Sequence, residues 1–150
     1  DYLGDNFLLI TQNIDGLHQT AGSRNVLELH GNIWWVRCTG CGVRYEDRAV
    51  PLSELPRCRD CQGLLRPNVV WFGETLDSNI LDSAFHALET ADGMMGIGTS
   101  GTVQPAASLG MAAKRAGAVV AEINLDPTPY TGAYDVSLTG KAGEIVPLLL

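Results

Sequence analysis

The chain has 150 residues, within the size of one domain, and 45% of them are apolar, enough to build a hydrophobic core. Its 17 acidic residues outnumber 10 basic ones, and this net charge of −7 disfavours nucleic acid as a partner because phosphate recognition depends on concentrated Lys and Arg. No apolar stretch approaches the about 20 residues that a membrane-spanning helix needs.

The first predicted elements are two strands with a short helix between them. The apolar run at residues 7–10 is typical of a buried parallel strand. A polar turn over residues 11–18 leads into a short helix that ends near Gly22. Residues 26–30 then form a second strand, which Gly31 ends.

The only four cysteines form two Cys-x2-Cys pairs separated by sixteen residues. Such pairs bring four thiolates to one tetrahedral Zn²⁺. Two disulfides in a secreted protein are the alternative, disfavoured because each would close a very small loop and no signal-peptide pattern opens the chain. Four protein ligands leave no open coordination position, so the metal is expected to be structural. The predicted ligands are Cys38, Cys41, Cys58 and Cys61.

Glycines and prolines through residues 32–65 favour turns and ribbons, and predict an insertion held together by the metal. A regular alternation of strands and helices follows. The predicted strands are residues 68–72, 94–97, 118–124 and 134–138; the predicted helices are one capped by Asp77, residues 105–116 before Gly117, and residues 142–150.

This alternation predicts an α/β fold with a Rossmann-like, doubly wound parallel sheet beside a small four-cysteine zinc ribbon. The predicted domains are residues 1–31 with 66–150, and the zinc module at 32–65. Ligands of such sheets bind beyond the carboxyl ends of the strands. The polar residues at those positions are Gln12, Asn13, Asp15, His30, Gly98, Thr99, Ser100, Asn124 and Asp126.

Two of these positions have a chemical and a structural interpretation. Residues 96–101 match G-x-G-x-x-G, with the acidic Glu122 about twenty positions on, which indicates either a dinucleotide loop or a tight strand-to-helix turn. His30 at a strand end is either a general base or a buried structural histidine. Its polar neighbours after the first strand favour the base.

Several motifs together resemble the sirtuins, which are NAD-dependent protein lysine deacylases. They are residues 11–18, 28–31, the four cysteines, 65–74, 98–100 and 123–126, and they follow the family order along nearly the whole chain. Residues 69–74 look most like the bacterial members and the mitochondrial desuccinylase-type branch.

The resemblance implies removal of acetyl or acidic acyl groups, such as succinyl, from protein lysine, giving nicotinamide, O-acyl-ADP-ribose and free lysine. His30 would be the general base that takes a proton from a ribose hydroxyl of NAD. The implied cofactor-binding residues are Gln12, Asn13, Ile14, Asp15, Gly98, Thr99, Ser100, Asn124, Leu125, Asp126 and Ala142. An acyl-lysine peptide would pair with Val70, Trp71, Phe72, Gly73 and Glu74.

One departure from the family is large. The N-terminal glycine-rich motif of sirtuins, which supplies a central strand and the main cofactor loop, does not occur in this sequence. A gap is therefore expected between the strands at residues 7–10 and 94–97. These 150 residues alone are expected to be marginally stable, to bind NAD poorly and to be inactive or weakly active.

Two other functions remain open on the sequence. A non-catalytic zinc-ribbon adaptor would use the arginines around the cysteines to bind protein or nucleic acid, and an ADP-ribosyltransferase would consume NAD on the same scaffold. Reduced thiols predict a cytoplasmic protein, or a mitochondrial one in a eukaryote. The sequence predicts no nucleic-acid or membrane partner and does not indicate an oligomeric state.

Overall fold

The structure is a computed structural model that describes residues 4–149. The chain divides into two compact units, Asp1–Ile80 and Leu81–Leu150. No helix within the described residues is long and apolar enough to span a lipid bilayer. The predicted division into residues 1–31 with 66–150 and a zinc module at 32–65 stays a prediction.

The first unit begins with a parallel pair of short strands. Strand β1 (Leu9–Thr11) lies beside β2 (Val26–Glu28), with Thr11 opposite Glu28, and helix α1 (Leu17–Thr20) connects them. The two predicted strands and the helix are therefore present, but β2 ends two residues earlier than the pattern indicates. Leu29 after it is buried, and His30 lies in the turn that reverses the chain.

An antiparallel sheet makes up the rest of the first unit. Its strands are β3 (Gly31–Cys38), β4 (Arg44–Glu46) and β5 (Leu65–Val69), in the order β4-β3-β5. Its core is small, and two of the cysteines belong to it. The buried residues are Val36, Cys38, Cys58 and Leu65, with Val43, Tyr45 and Leu52 packed against them.

The strand predicted at residues 68–72 is displaced toward the N-terminus. β5 pairs with β3 from Leu65, opposite Cys38, to Val69, opposite Gly31. Leu65 and Val69 are buried, whereas the chain beyond Val69 leaves the sheet and forms a turn. Apolar residues after Val69 look like a continuation of the strand in sequence, but the pairing with β3 ends there.

The second unit is a parallel sheet with helices. Strands β6 (Gly93–Ile97), β7 (Val119–Asn124) and β8 (Val136–Thr139) pair in that order, all parallel. The buried side chains of this unit are mostly small or aliphatic, which lets helices approach the sheet closely. They include Ala84, Leu88, Leu109, Ala113, Val120 and Ile123.

The helices follow the predicted signals with shifted ends. Helix α2 (Ser78–Glu89), which crosses the boundary between the units, starts after Asp77, whose Oδ1 accepts from the Asn79 N–H at 3.0 Å. Helix α3 (Leu109–Ala116) ends at the left-handed Gly117, as predicted, but it starts after a 3₁₀ turn at Ala106–Ser108.

The predicted helix at residues 142–150 is shorter. It consists of helix α4 (Ala142–Ile145) and a 3₁₀ turn at Val146–Leu148. Pro147 explains the early end of the α-helix, because its backbone nitrogen carries no hydrogen and cannot donate the next α-helical hydrogen bond. Leu150 lies outside the described residues.

Parallel strands that alternate with helices confirm the predicted α/β class. Among the described residues, β1 pairs only with β2 and β6 only with β7, so each strand has one edge without a partner. The expected gap between the strands at residues 7–10 and 94–97 stays a prediction.

Candidate functional site

The four cysteine sulfurs converge beside the ends of β3 and β5. Their Sγ atoms all lie within 4.8 Å of one another, with 3.4 Å between Cys38 and Cys61 and 3.7 Å between Cys41 and Cys58. A tetrahedral ion with Zn–S bonds of about 2.3 Å holds its sulfurs about 3.8 Å apart. Disulfide sulfurs lie about 2 Å apart, and these four thiols are free. The set therefore fits one Zn²⁺ and excludes the disulfide alternative.

Backbone groups shape this cradle. The N–H groups of Gly40 and Cys41 point to the Cys38 sulfur at 3.3 and 3.4 Å, and the N–H of Gly63 points to the Cys61 sulfur at 3.4 Å. A Cβ at Gly63 would lie 3.0 Å from the Cys38 sulfur and 3.2 Å from that of Cys61. Glycine at position 63 therefore avoids a tight contact with two of the sulfurs that would hold the ion.

The thiol pKa values show why the cluster needs a cation. The N–H groups of Cys41 and Gly40 lower the pKa of Cys38 to about 6, although burial opposes them. At Cys41 the Val43 N–H also lowers the pKa, but the neighbouring thiols, Cys61 foremost, and burial outweigh it and raise the pKa to about 12. One thiolate therefore forms readily, and a full set of four requires a bound metal ion to offset their repulsion.

His30 lies in the turn between β2 and β3, half-buried. Its Nδ1 lies 3.0 Å from the backbone carbonyl oxygen of Gln12, which follows β1. A carbonyl only accepts, so Nδ1 carries the proton and the Nε2 of the neutral ring keeps a lone pair. The parallel pairing of β1 with β2 thus places an imidazole able to act as a base beside the polar loop after β1.

Glycine next to this histidine is a geometric requirement. Gly31 has a φ of +76°, and a Cβ there would lie 2.1 Å from the carbonyl oxygen of Asn68 on β5. The close approach of β3 to β5 depends on it. The carbonyl of His30 accepts from the N–H of Val70 at 2.9 Å. The first residue after β5 is therefore hydrogen-bonded to the histidine.

The loop after β1 is held by its own hydrogen bonds. Thr11 Oγ1 accepts from the Asn13 N–H, and Asp15 Oδ1 accepts from the Leu17 N–H at the start of α1, both at 3.0 Å. The N–H of Ile33 donates to the carbonyl of Ile14 at 2.8 Å. Asn13 is exposed, whereas Asp15 is partly buried.

Trp34 is a contributor that the sequence pattern did not reveal. Its indole Nε1–H donates to the carbonyl of Asp15 at 2.7 Å. This bond ties β3 to the loop after β1. A tryptophan that is partly buried usually finds such an acceptor, but the sequence alone does not tell which carbonyl it meets.

The second unit brings the other predicted residues together at its strand ends. Asn124 at the end of β7 donates from Nδ2 to the carbonyl of Thr99 at 2.9 Å, and its own carbonyl accepts from the Gly140 N–H at 2.8 Å. Gly98 adopts a φ of +62°. Asn124 therefore fixes the loop after β6 and the loop after β8. The surrounding predicted residues are Ser100, Leu125 and Asp126, which are exposed, and Ala142, which starts α4.

Two features of the glycine motif differ from a dinucleotide fingerprint. Helix α3 starts at Leu109, so the loop ending at Gly101 does not form the first turn of that helix. Glu122 is only 2% exposed, and its carboxylate accepts from the hydroxyls of Thr128 and Ser137 at 2.9 and 2.7 Å. The acidic side chain of the motif is thus engaged inside the unit.

The predicted substrate segment forms an exposed turn. The Glu74 N–H donates to the Trp71 carbonyl at 2.9 Å, and the Trp71 N–H donates to Glu74 Oε2 at 3.0 Å. Gly73 has a φ of +86°. Phe72 at the tip is fully exposed and Trp71 half-exposed, so residues 70–72 are not a core strand.

The sequence of this chain is similar to those of known proteins of one family. Residues 2–105 match the model of the Sir2 family. The chain is 51% identical, over 95% of its length, to NAD-dependent protein deacylase 1 of Archaeoglobus fulgidus, and 41% identical, over 96%, to the mitochondrial NAD-dependent protein deacylase sirtuin-5A of Xenopus laevis. It covers 58% and 54% of those two proteins.

Solved structures of Sir2 proteins are also similar to this chain. A Sir2 homologue in complex with NAD superposes with a TM-score of 0.91 at 51% identity, over 95% of this chain and 56% of that one. A Sir2 structure with p53 peptide and NAD⁺ superposes with a TM-score of 0.87 at 36% identity, over 95% and 61%. The predicted resemblance to the sirtuins is confirmed: the chain belongs to the Sir2 family.

Proposed function

We propose that these residues form the larger part of an NAD-dependent protein deacylase, which removes acyl groups from protein lysine. The observation that carries the proposal is the His30 ring, held through Nδ1 by the Gln12 carbonyl, with Nε2 left as a base beside the polar loop after β1. The deacylase relatives and the Sir2 structures with NAD and with peptide support it.

When bound, NAD supplies the ADP-ribose that accepts the acyl group and releases nicotinamide. Nε2 of His30 takes the proton from a ribose hydroxyl, and the Nδ1–H bond to Gln12 keeps the ring in the tautomer that can do so. The loop after β1 orients the nicotinamide end. Its binding residues are Gln12, Asn13, Ile14 and Asp15.

We assign further NAD-binding residues to the loops that follow the strands of the second unit. The loop of Gly98, Thr99 and Ser100 binds ribose and phosphate through the Thr99 and Ser100 hydroxyls and backbone dipoles, since this acidic chain offers few Lys or Arg side chains. The Gly98 N–H itself donates to the Ile123 carbonyl at 2.9 Å and holds the start of the loop. Asn124 shapes that loop through the Thr99 carbonyl. Leu125, Asp126 and Ala142 lie on the adenosine side.

The acyl-lysine peptide lies against the exposed turn at Val70, Trp71, Phe72, Gly73 and Glu74. The exposed side chains of Trp71 and Phe72 favour contact with an extended peptide. Support for a peptide substrate comes from the Sir2 structure with p53 peptide.

The first prediction concerns the base. In the natural full-length protein that contains these residues, His30→Ala is expected to abolish release of free lysine from acetylated and succinylated peptides with NAD, a loss of at least about 10²-fold because the general base is removed. Product formation is followed by mass spectrometry. O-acyl-ADP-ribose identifies the deacylase, whereas ADP-ribosylated protein identifies the transferase alternative.

The matched measurement is metal content. His30 is not among the four cysteines that would bind the metal, so the variant is expected to keep one zinc per chain and the wild-type circular dichroism spectrum. Unchanged turnover in a folded, zinc-loaded His30→Ala protein would overturn the assignment of the base.

Two finer proposals concern the branch and the compartment. We propose the bacterial and mitochondrial desuccinylase-type branch, supported by residues 69–74 and the identity to sirtuin-5A. Turnover of succinyl and acetyl peptides by the full-length protein tests this assignment.

We propose a reducing compartment, the cytoplasm or the mitochondrial matrix, because the metal site needs reduced thiols. Fractionation of cells tests that.

A further inference from the structure

One carboxylate joins both ends of the turn after β5. Glu74 accepts from both terminal nitrogens of Arg66, with 3.1 Å between Nη2 and Oε2, and from the Trp71 N–H at 3.0 Å. Arg37 Nη2 lies 3.4 Å from each of its oxygens. The side chains of Arg66 and Glu74 are 15% and 32% exposed, so water screens the pair only partly.

Arg66 contacts the same turn at two further points. Its guanidinium lies 3.5 Å from the centroid of the Trp71 ring, and Nη2 donates to the Val69 carbonyl at 3.0 Å. Its Nε is buried and has no partner among the described residues. An unpaired buried donor such as this Nε–H costs stability. The contacts of Arg66 with Glu74 and Trp71 must therefore offset that cost and hold the side chain in place.

The fold creates a need for this carboxylate. Arg37 and Arg66 lie directly opposite each other on β3 and β5. Like charges at opposite positions of an antiparallel pair repel. Among the described residues, Glu74 is the one carboxylate in an ion pair with both arginines, and the same contacts lower its pKa to about 2, with the Arg66 hydrogen bonds as the largest cause.

We propose that Glu74 is a positioning residue for the peptide substrate: clamped by Arg66 and Arg37, it presets the turn at residues 70–74 so that Trp71 and Phe72 meet the peptide in one fixed shape. The inference rests on the proposed function. The clamp does not touch the reacting atoms. It removes the entropy cost of ordering an exposed loop when the peptide binds.

The test is Glu74→Gln in the natural full-length protein, which keeps the shape and removes the charge. KM for an acetylated peptide is expected to rise about tenfold, the loss expected for a partly exposed charged hydrogen bond, with a smaller change in kcat. KM for NAD is expected to stay at its wild-type value. Glu74→Asp keeps the charge and is expected to restore most of the peptide KM.

The matched control is Glu46→Gln. It removes the charge from a more exposed ion pair of the same unit, Glu46 with Arg48 at 2.6 Å, whose residues lie outside the turn. Its kinetics are expected to equal those of the wild type. Amide hydrogen exchange at Trp71 adds a readout without catalysis, because the uncharged Gln side chain, released from the arginines, should hold the Trp71 N–H less firmly and speed exchange there.

The outcomes separate the two proposals. A wild-type protein that forms no O-acyl-ADP-ribose overturns the proposed function. An active wild type whose Glu74→Gln variant keeps the peptide KM, or loses kcat with KM unchanged, overturns the positioning role. A rise in both KM values also overturns it, since general damage to the fold affects NAD and peptide alike.

Discussion

At the scale of single residues, glycines next to functional side chains determine where those side chains lie. Gly31 lets β3 pass close to β5 immediately after His30, and Gly63 leaves room among the cysteine sulfurs. Both roles follow from a missing Cβ. The sequence shows these glycines but not which atoms they approach, because the nearest neighbour of each, Asn68 for Gly31 and Cys38 for Gly63, lies more than twenty residues away in the chain.

Gly31→Ala tests the first of these roles. The new Cβ would meet the Asn68 carbonyl oxygen, and φ would remain at +76°, so a loss of about 2–3 kcal/mol in the free energy of unfolding is expected. Urea unfolding measures it.

Gly42→Ala is the matched control for that change. Gly42 has the same φ of +76° and nothing within 4 Å of a Cβ, so this variant is expected to lose only the backbone strain. Equal losses in the two variants would show that the approach of β3 to β5 is not the reason for glycine at position 31.

At the scale of elements, β7 and β8 are joined by a buried carboxylate as well as by backbone pairing. Burial raises the pKa of Glu122, but the hydroxyls of Thr131, Ser137 and Thr128 stabilise its charge more and bring the pKa below its ordinary 4.5. A group with a lowered native pKa adds stability above the unfolded pKa and loses it as pH falls through the native pKa. The carboxylate therefore favours folding at neutral pH.

Glu122→Gln should remove that pH dependence. The wild type is expected to lose stability as pH falls below about 4.5, and the variant should lose less, because no charge remains to be neutralised at this site. Urea unfolding between pH 6 and the acid limit measures both.

Glu144→Gln serves as the comparison within the same unit. Its ion pair with Lys141 is 70% exposed on both sides, and such pairs contribute little. Its acid profile is expected to match that of the wild type. If Glu122→Gln also keeps the wild-type slope, the buried carboxylate does not control acid stability.

Strand and helix positions show what sequence patterns could and could not predict. The two cysteine pairs and the alternation of strands and helices in the second unit followed from local spacing. His30 was predicted at a strand end and lies in the turn two residues after β2. The end of β5 and the Trp34 bond to Asp15 did not follow from local spacing, because each depends on pairing between distant segments. The Arg37–Arg66–Glu74 clamp was missed for the same reason: its register is set by the sheet.

At the scale of the whole molecule, each unit has its own buried residues. The first unit packs Val36 and Leu65 around Cys38 and Cys58, whereas the second packs aliphatic side chains such as Val120 and Ile123. Two of the four cysteines, Cys38 and Cys58, therefore belong to the hydrophobic core of the first unit. Its small apolar cluster cannot replace the metal as a source of stability.

Metal removal should therefore act unevenly. A zinc chelator at neutral pH is expected to speed amide exchange across β3, β4 and β5, while β6, β7 and β8 keep their protection. Mass spectrometry of peptide fragments measures it, and returned zinc should restore protection. Uniform exchange across the chain would show that the metal supports both units equally.

The three tryptophans give this protein internal optical reporters. The Trp34 indole bonds to the loop beside His30, Trp71 lies under the Arg66 guanidinium, and Trp35 is partly open to water. Emission from Trp71 should shift and lose quenching when the cation leaves its ring, and emission from Trp34 should respond to rearrangement beside the imidazole. Single-tryptophan variants would let a spectrometer follow the two regions separately, with no attached dye.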